Sequence, residues 1–332
     1  MQNQKQQKKS GKEILKIVLI IVFIIIVVLV GVSNYLVSYA IGRSGDGGDR
    51  QVSLDVEETK TESEQIMAQN REAQAALTEA FLESVEPQNV QIISEDGLKL
   101  SGVYYENADS HKWVILIHGY RSSHESMTDF AQRYYDQGYQ VLTPDLRACG
   151  DSEGDYLGMG WLDRKDMLGW INWTIAQDPG AEIVLHGVSM GAATVLMTSG
   201  ERTADAVKVF IEDCGYTSVW DVFASELKLR FHLPEYPILY VADGVANFRA
   251  EYSFREASAL EQVAKCEKPM LFIHGTADDF IPFEMEDELY QAKPGDNKEK
   301  IEVLNAGHGE SDDLLGDEYW EDVFGFIDTY ME

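Results

Sequence analysis

Cysteine is scarce in this chain of 332 residues: there are three, Cys149, Cys214 and Cys266. Three are too few for a disulfide scaffold, and no zinc-type Cys-x-x-Cys pair occurs. One disulfide with a spare thiol and three free thiols fit that number equally well. Basic residues are also short, with 27 Lys and Arg against 57 Asp and Glu, for a formal charge of −30. Residues 1–43 hold six of the basic residues and one acid, about +5, so the remainder carries −35. A body that acidic argues against nucleic acid as a partner, because binding there depends on neutralising phosphates. No internal repeat is visible beyond a recurring His-Gly pair. What is there, 45% hydrophobic and 25% charged residues, describes a globular protein with a buried core.

The longest absence is of polar side chains, sixteen consecutive residues from Ile17 to Val32. The uncharged run continues to Gly42, and those 26 residues form a helix roughly 39 Å long, enough to cross a ~30 Å hydrocarbon core with tilt. Residues 17–41 therefore read as a transmembrane signal anchor behind a basic tail, residues 1–16. Lys5, Lys8, Lys9, Lys12 and Lys16 precede or enter the run, whereas Arg43 and Arg50 follow it. The positive-inside bias places the N-terminus in the cytoplasm and the acidic body outside, with the membrane as a partner through this helix. The rival reading is secretion after cleavage near Ala40, at Ser38-Tyr39-Ala40. The apolar stretch is longer than the usual signal-peptide core, which favours the anchor.

Residues 42–87 read as a linker and helix. "GRSGDGGDR" (Gly42 to Arg50) is Gly-rich and has no strand before it, so it is a hinge rather than a phosphate loop. Residues 55–85 are rich in Glu, Gln and Ala, and Ile66, Leu77, Phe81 and Leu82 give a sparse apolar face to an amphipathic helix. From residue 88 to 332 the pattern is regular. "NVQIISEDGLKLSGVYYEN" predicts two strands about a Glu95-Asp96-Gly97 turn. The apolar runs "KWVILIH", "YQVLTPD", "EIVLHG", "VKVFIED", "PMLFIHG" and "KIEVLN" predict six more, most of them separated by helical stretches. That alternation calls for an α/β fold, a doubly wound, mainly parallel eight-stranded sheet with helices on both faces. Ligands in such sheets bind beyond the carboxyl ends of the strands. All four His-Gly pairs, at His118, His186, His274 and His308, fall at such ends.

Gly187-Val188-Ser189-Met190-Gly191 is G-x-S-x-G between a predicted strand and a predicted helix. The bare motif is only moderately specific; the context adds the weight, because a nucleophile elbow needs a turn too tight for flanking side chains. Such a turn lifts the Ser189 hydroxyl above the sheet with a helix N-terminus behind it. A serine nucleophile needs a base, and the base a carboxylate. In this chain order the acid and then the base follow the serine. Asp278 and Asp279 lie just past the "PMLFIHG" strand, and His308 is the only histidine beyond them.

"HGYRSS", "DLRACGDSEG", "HGVSMGAAT", "EDCGYTS", "HGTADDFIP" and "AGHGE" occur in this order, and here the chain resembles the α/β-hydrolase superfamily. The likeness is to bacterial membrane-anchored members related to the dienelactone-hydrolase and prolyl-oligopeptidase branches, over about residues 90–330. It implies Ser189 as nucleophile, Asp278 as the triad acid with Asp279 its neighbour, and His308 as base. It implies an oxyanion hole from the backbone N–H groups of Tyr120 and Met190. Ala148 departs from the pattern, where glycine is usual, and puts the shape of one loop in question. No cofactor and no metal is expected, although four histidines at neighbouring strand ends raise the metal alternative. Arg121 and His124 follow the oxyanion loop, and Trp161, Trp170 and Trp173 read as a helix face packed on the sheet. Residues 216–262 are expected to form helices over the site and to set substrate choice. The expected substrate is a small acyl or peptide-like molecule, cleaved as an ester, thioester or amide. Peptidase or acyltransferase chemistry on the same parts, and a non-catalytic surface binding protein, are the alternatives. Oligomeric state is left open.

Overall fold

The computed structural model describes residues 2–43, 61–107 and 110–331. The chain opens with α1 (Gln2–Ile41), and α2 (Glu62–Ser84) follows. Most of the Gly-rich hinge, and the start of the 55–85 stretch, lie outside the described residues. Thr61 and Glu64 close a capping box that fixes where α2 starts. Its packing differs from the expected stripe: Met67, Thr78 and Phe81 are buried, while Ile66, Leu77 and Leu82 stay exposed. Polar side chains supply the rest of the attachment. Thr78 donates to Asp129, Gln74 to Gln132 and Asn70 to the carbonyl of Asp313. A face that docks by hydrogen bonds leaves no apolar periodicity to read.

Eight strands follow, β1 (Gln88–Ile93), β2 (Lys99–Tyr105), β3 (Lys112–Ile117), β4 (Gln140–Pro144), β5 (Glu182–Val188), β6 (Val207–Asp213), β7 (Met270–Gly275) and β8 (Lys298–Val303). They form one sheet in the order β1-β2-β4-β3-β5-β6-β7-β8. The β1–β2 hairpin is antiparallel, β2 pairs antiparallel with β4, and every other pairing is parallel. The connecting helices are α3 (Thr128–Asp136), α4 (Asp163–Gln177), α5 (Met190–Ser199), α6 (Val219–Phe231), α7 (Glu235–Ala250), α8 (Ala259–Val263) and α9 (Glu284–Ala292). Two more, α10 (Ser311–Leu315) and α11 (Asp317–Tyr330), stand where one terminal helix was expected. The break falls at Gly316, whose φ of 58° ends one helix and starts the next.

Alternation along the strands splits the core into two layers. Trp113, Ile115 and Ile117 of β3 join one core with α4 to α9 and the end of α1. Val114 and Leu116 join the other, with α3, α11 and Phe81 of α2. Trp170 is buried in the first layer and Trp173 packs beside it, whereas Trp161 precedes α4 and stacks on Arg164. A pairing of Arg147 with Asp166, both buried, ties the loop after β4 to α4 through bonds of 2.7 and 2.8 Å. The chain turns in opposite directions out of β3 and β5, so the crevice beyond their carboxyl ends is the topological switch point where ligands bind in such sheets.

Candidate active site

Ser189 follows β5 at that crevice, with φ 58° and ψ −117°, a backbone conformation that L-residues rarely hold. The flanking glycines explain how it is tolerated. A Cβ on Gly191 would lie 2.0 Å from the Ile117 carbonyl oxygen, and one on Gly187 would lie 2.3 Å from the Gly191 carbonyl. The Ser189 N–H donates to Asp213 at 2.8 Å, which locks the turn to the end of β6. Its side chain is nearly buried, and its Oγ lies 2.7 Å from His308 Nε2. His308, on the loop after β8, places Nδ1 2.7 Å from Asp278 Oδ2. Asp278, after β7, takes 2.8 Å bonds on Oδ1 from the N–H groups of Phe280 and Ile281. The structure thus brings Ser189, His308 and Asp278 into one hydrogen-bonded chain across three strand ends. Asp279 lines the adjoining cavity and is not in that chain.

Met190 opens α5, so its N–H is among those with no acceptor inside the helix. Tyr120 lies just past β3, and the two residues border the same cavity as Ser189 and His308. A donor at each position can face charge that develops at a carbonyl on Ser189.

Three features of the site go beyond the roles that the motifs assign. His274, buried at the end of β7, sets Nε2 3.2 Å from Asp278 Oδ2. Burial alone would raise the Asp278 carboxyl. The bonds from His274 and His308 outweigh it and hold the group well below the usual carboxylate range. Burial opposes charge on His274 too, yet the bond to Asp278 and the nearby Glu212 carboxyl raise its pKa on balance. Second, the loop carrying His308 is braced from α2. Glu310 accepts from the Gly307 N–H at 3.1 Å and meets Arg71 at 3.6 Å, while Arg71 also pairs with Asp313. Third, the cavity, about 830 Å³, is walled partly by α6 and α7 and partly by α1. Val222, Leu227 and Ile238 come from the segment expected over the site, and Leu36, Val37 and Ala40 from the apolar N-terminal helix.

The histidines separate into different jobs. His118 accepts from the Leu146 N–H and donates to the Gly119 carbonyl, the loop-backbone role expected of a strand exit. His186 instead sits between the hydroxyls of Tyr134 and Tyr319, and burial pushes it down to about 3. With both nitrogens of His118, His186 and His308 committed, the four do not converge on an ion. Cys214, Asp278 and His308 do place ligand atoms within 4.8 Å of one another, but burial lifts the Cys214 thiol far above its ordinary range and keeps it protonated. All three cysteines are free and buried. Arg121 and His124 serve the loops: Arg121 donates to carbonyls of Tyr39 and Gly42, and His124 binds Asp145. Ala148 takes φ 61°, a left-handed conformation that favours glycine.

Fold and cleft together define an α/β enzyme that builds its site beyond the carboxyl ends of a parallel sheet. The chain belongs to the alpha/beta hydrolase family, which residues 114–324 match. It is 30% identical to the uncharacterized protein YqkD of Bacillus subtilis over 214 residues, 64% of this chain and 70% of that protein. An uncharacterized membrane protein of Saccharomyces cerevisiae is 23% identical over 72% of this chain and 79% of its own length. Among solved structures it is similar to the Pyrococcus furiosus esterase Pf2001, with a TM-score of 0.63, 28% identity, and coverage of 75% of this chain and 93% of that one.

Proposed function

We propose that the protein is a membrane-tethered serine hydrolase that cleaves a carboxylic ester through an acyl-enzyme, with its catalytic domain outside the cytoplasm. The observation that carries the reading is the pair of 2.7 Å bonds from Ser189 through His308 to Asp278. Ser189 Oγ attacks the ester carbonyl as His308 Nε2 takes its proton, and the Tyr120 and Met190 N–H groups receive the oxyanion. The carbon–oxygen bond to the leaving alcohol breaks, and His308 returns the proton to that alcohol. Water activated by His308 then attacks the acyl-serine and releases the acid, leaving Ser189 protonated. Asp278, kept ionised by its four hydrogen-bond donors, holds the imidazole tautomer and stabilises the imidazolium.

A cavity beside Ser189 lined mainly by aliphatic and aromatic side chains, and the likeness to an esterase, favour an ester over a peptide. The basic residues ahead of the apolar helix support a cytoplasmic N-terminus. The test is labelling by a fluorophosphonate. Wild-type protein is expected to be labelled and Ser189→Ala to be silent; an unlabelled wild type overturns the mechanism.

A further inference from the structure

The apolar helix α1 has two unlike parts. From Ile17 to Val28 its large side chains are 45–67% exposed, as a lipid-facing helix requires. Ser33, Val37 and Ile41, one stripe at four-residue spacing, are at most 1% exposed against the catalytic domain. The change takes about one turn, or roughly 5.4 Å along the axis.

The docked part is held by its backbone as well as its side chains. The last carbonyls of a helix have no acceptor role inside it and need outside donors. Here Tyr120 Oη donates to Ala40, Arg121 to Tyr39 and Gly42, and the Leu157 N–H to Ile41, at 2.5–2.9 Å. Arg249 of α7 reaches Asn34 and Ser38, both at 2.8 Å, and Ser33 donates to the Ile238 carbonyl. The Tyr120 side chain therefore caps the apolar helix, and the same residue lines the cavity that holds Ser189. Leu36, Val37, Tyr39 and Ala40 face the cavity that holds Ser189 and His308. At its rim, Tyr35, Tyr39 and Phe231 form a contiguous aromatic ladder, with centroids 6.3 and 5.8 Å apart, of which Tyr39 and Phe231 also line the cavity. Tyrosines at this position on a spanning helix mark the headgroup level.

We infer that the end of α1 is a wall of the acyl pocket, and that the substrate is a membrane amphiphile, an ester of a long acyl chain, that reaches Ser189 along this helix from the bilayer. The inference rests on the serine-hydrolase reading and adds the substrate class and route. A chain in the bilayer already lies against Ile25 to Val32, and Leu36 continues that surface into the cavity within one turn. Release of the body by cleavage after Ala40 would remove this wall, so the anchor is part of the site as well as a tether.

The test uses the full chain reconstituted in phosphatidylcholine vesicles, with p-nitrophenyl dodecanoate and p-nitrophenyl acetate as probes. Leu36→Trp is expected to lower the dodecanoate-to-acetate ratio of kcat/KM by about tenfold, as when two methylenes lose their burial. Leu36→Ala moves the preferred chain length upward, and Val28→Trp, on the exposed stretch, leaves the ratio in place. A ratio that stays at the wild-type value in both Leu36 variants overturns the pocket wall. For the route, 4-methylumbelliferyl oleate in the enzyme's own vesicles is expected to be hydrolysed at least about tenfold faster than in separate vesicles, because sharing a surface raises its effective concentration. Equal rates overturn the lateral path. Fluorophosphonate labelling of every variant separates these outcomes from the parent reading. Labelled protein with an unmoved ratio sinks only the wall, whereas an unlabelled wild type sinks both.

Discussion

The two sides of the cleft are built in different ways. On the Ser189 side, backbone sets the geometry: Ser189 is held by its own φ/ψ, by Asp213 and by two glycines packed against neighbouring carbonyls. On the side of Asp278 and His308, side chains share that work with backbone N–H groups. Asp278 is held by two backbone N–H groups and His274, and the loop of His308 by Glu310, itself beside Arg71 of a distant helix. A backbone-defined site tolerates almost no added atom. A side-chain-defined one degrades in steps, because each partner supplies a separable share.

That contrast predicts its largest effect at Gly191. Gly191→Ala puts a methyl 2.0 Å from the Ile117 carbonyl, with no side chain free to yield. The expected outcome is a loss of about 3 kcal/mol or more of stability, the upper end of overpacking penalties, together with loss of labelling at Ser189. Thermal unfolding and fluorophosphonate labelling would read both. A variant that melts and labels like wild type would show that the elbow is softer than its geometry.

The side of Asp278 and His308 has a pH signature of its own. Behind His274 lie Glu212 and Glu286, both fully buried. Burial, with the neighbouring Glu212 charge second, raises Glu286 to about 9, and burial raises Glu212 to about 8. Each group keeps its proton in the folded chain at a pH where the unfolded chain has released it. Stability contributed this way is complete below the ordinary value of 4.5 and is lost as pH rises toward about 9. One such proton corresponds to a slope of about 1.4 kcal/mol per pH unit inside that window. Glu286→Gln, which cannot ionise, should flatten the fall in thermal stability between pH 6 and pH 9. An unchanged slope would mean that Glu286 ionises in the folded protein as it does in water.

His274 should have a smaller effect, confined to chemistry. His274→Leu removes one of the donors on Asp278, so kcat should drop by about tenfold, typical of losing a partner that orients a functional group. The Asp278 carboxyl should also move up toward its ordinary range, carrying the acid limb of the pH–rate profile upward with it. His274→Asn, which restores a donor, should recover part of the loss. A drop in stability with an unmoved profile would reduce His274 to a packing residue.

The same division governs what the sequence could show. Continuous apolar runs such as "KWVILIH" and "PMLFIHG" bury on both faces, and that need is written locally, so the eight strands and their helices could be read off the chain. The elbow is local as well, since both glycines stand within two residues of Ser189. Chain order singled out His308. The contacts that position it, from Arg71 at a separation of more than two hundred residues, follow no spacing rule. The α2 stripe was misread for the same reason: Asn70, Gln74 and Thr78 dock by hydrogen bonds, which hydrophobic periodicity does not register. The run from Ile17 to Gly42 reads as a span by composition, but its last turns are a wall of the cleft, a role visible only once the rest of the fold surrounds them.

The smallest predicted effect lies between the two sides, in the loop after β4. Ala148 is buried and holds φ 61°, a conformation in which its Cβ crowds the backbone at a cost of roughly 1–2 kcal/mol. Its N–H is engaged, donating to the Glu153 carbonyl at 3.0 Å, so the loop cannot relax by flipping it away. Ala148→Gly removes the crowding but adds freedom to the unfolded chain, which takes back part of the gain. The net expectation is a stabilisation of about 0.5–1 kcal/mol, measurable as a shift in the denaturation midpoint at constant slope. Activity should be unchanged, because the loop is fixed by the Arg147–Asp166 pairing and by Asp145, which accepts from Asp151 at 2.9 Å. A destabilised Ala148→Gly would mean that the methyl group contributes more in packing than it costs in strain. The departure from glycine would then be an adaptation of this chain's own core.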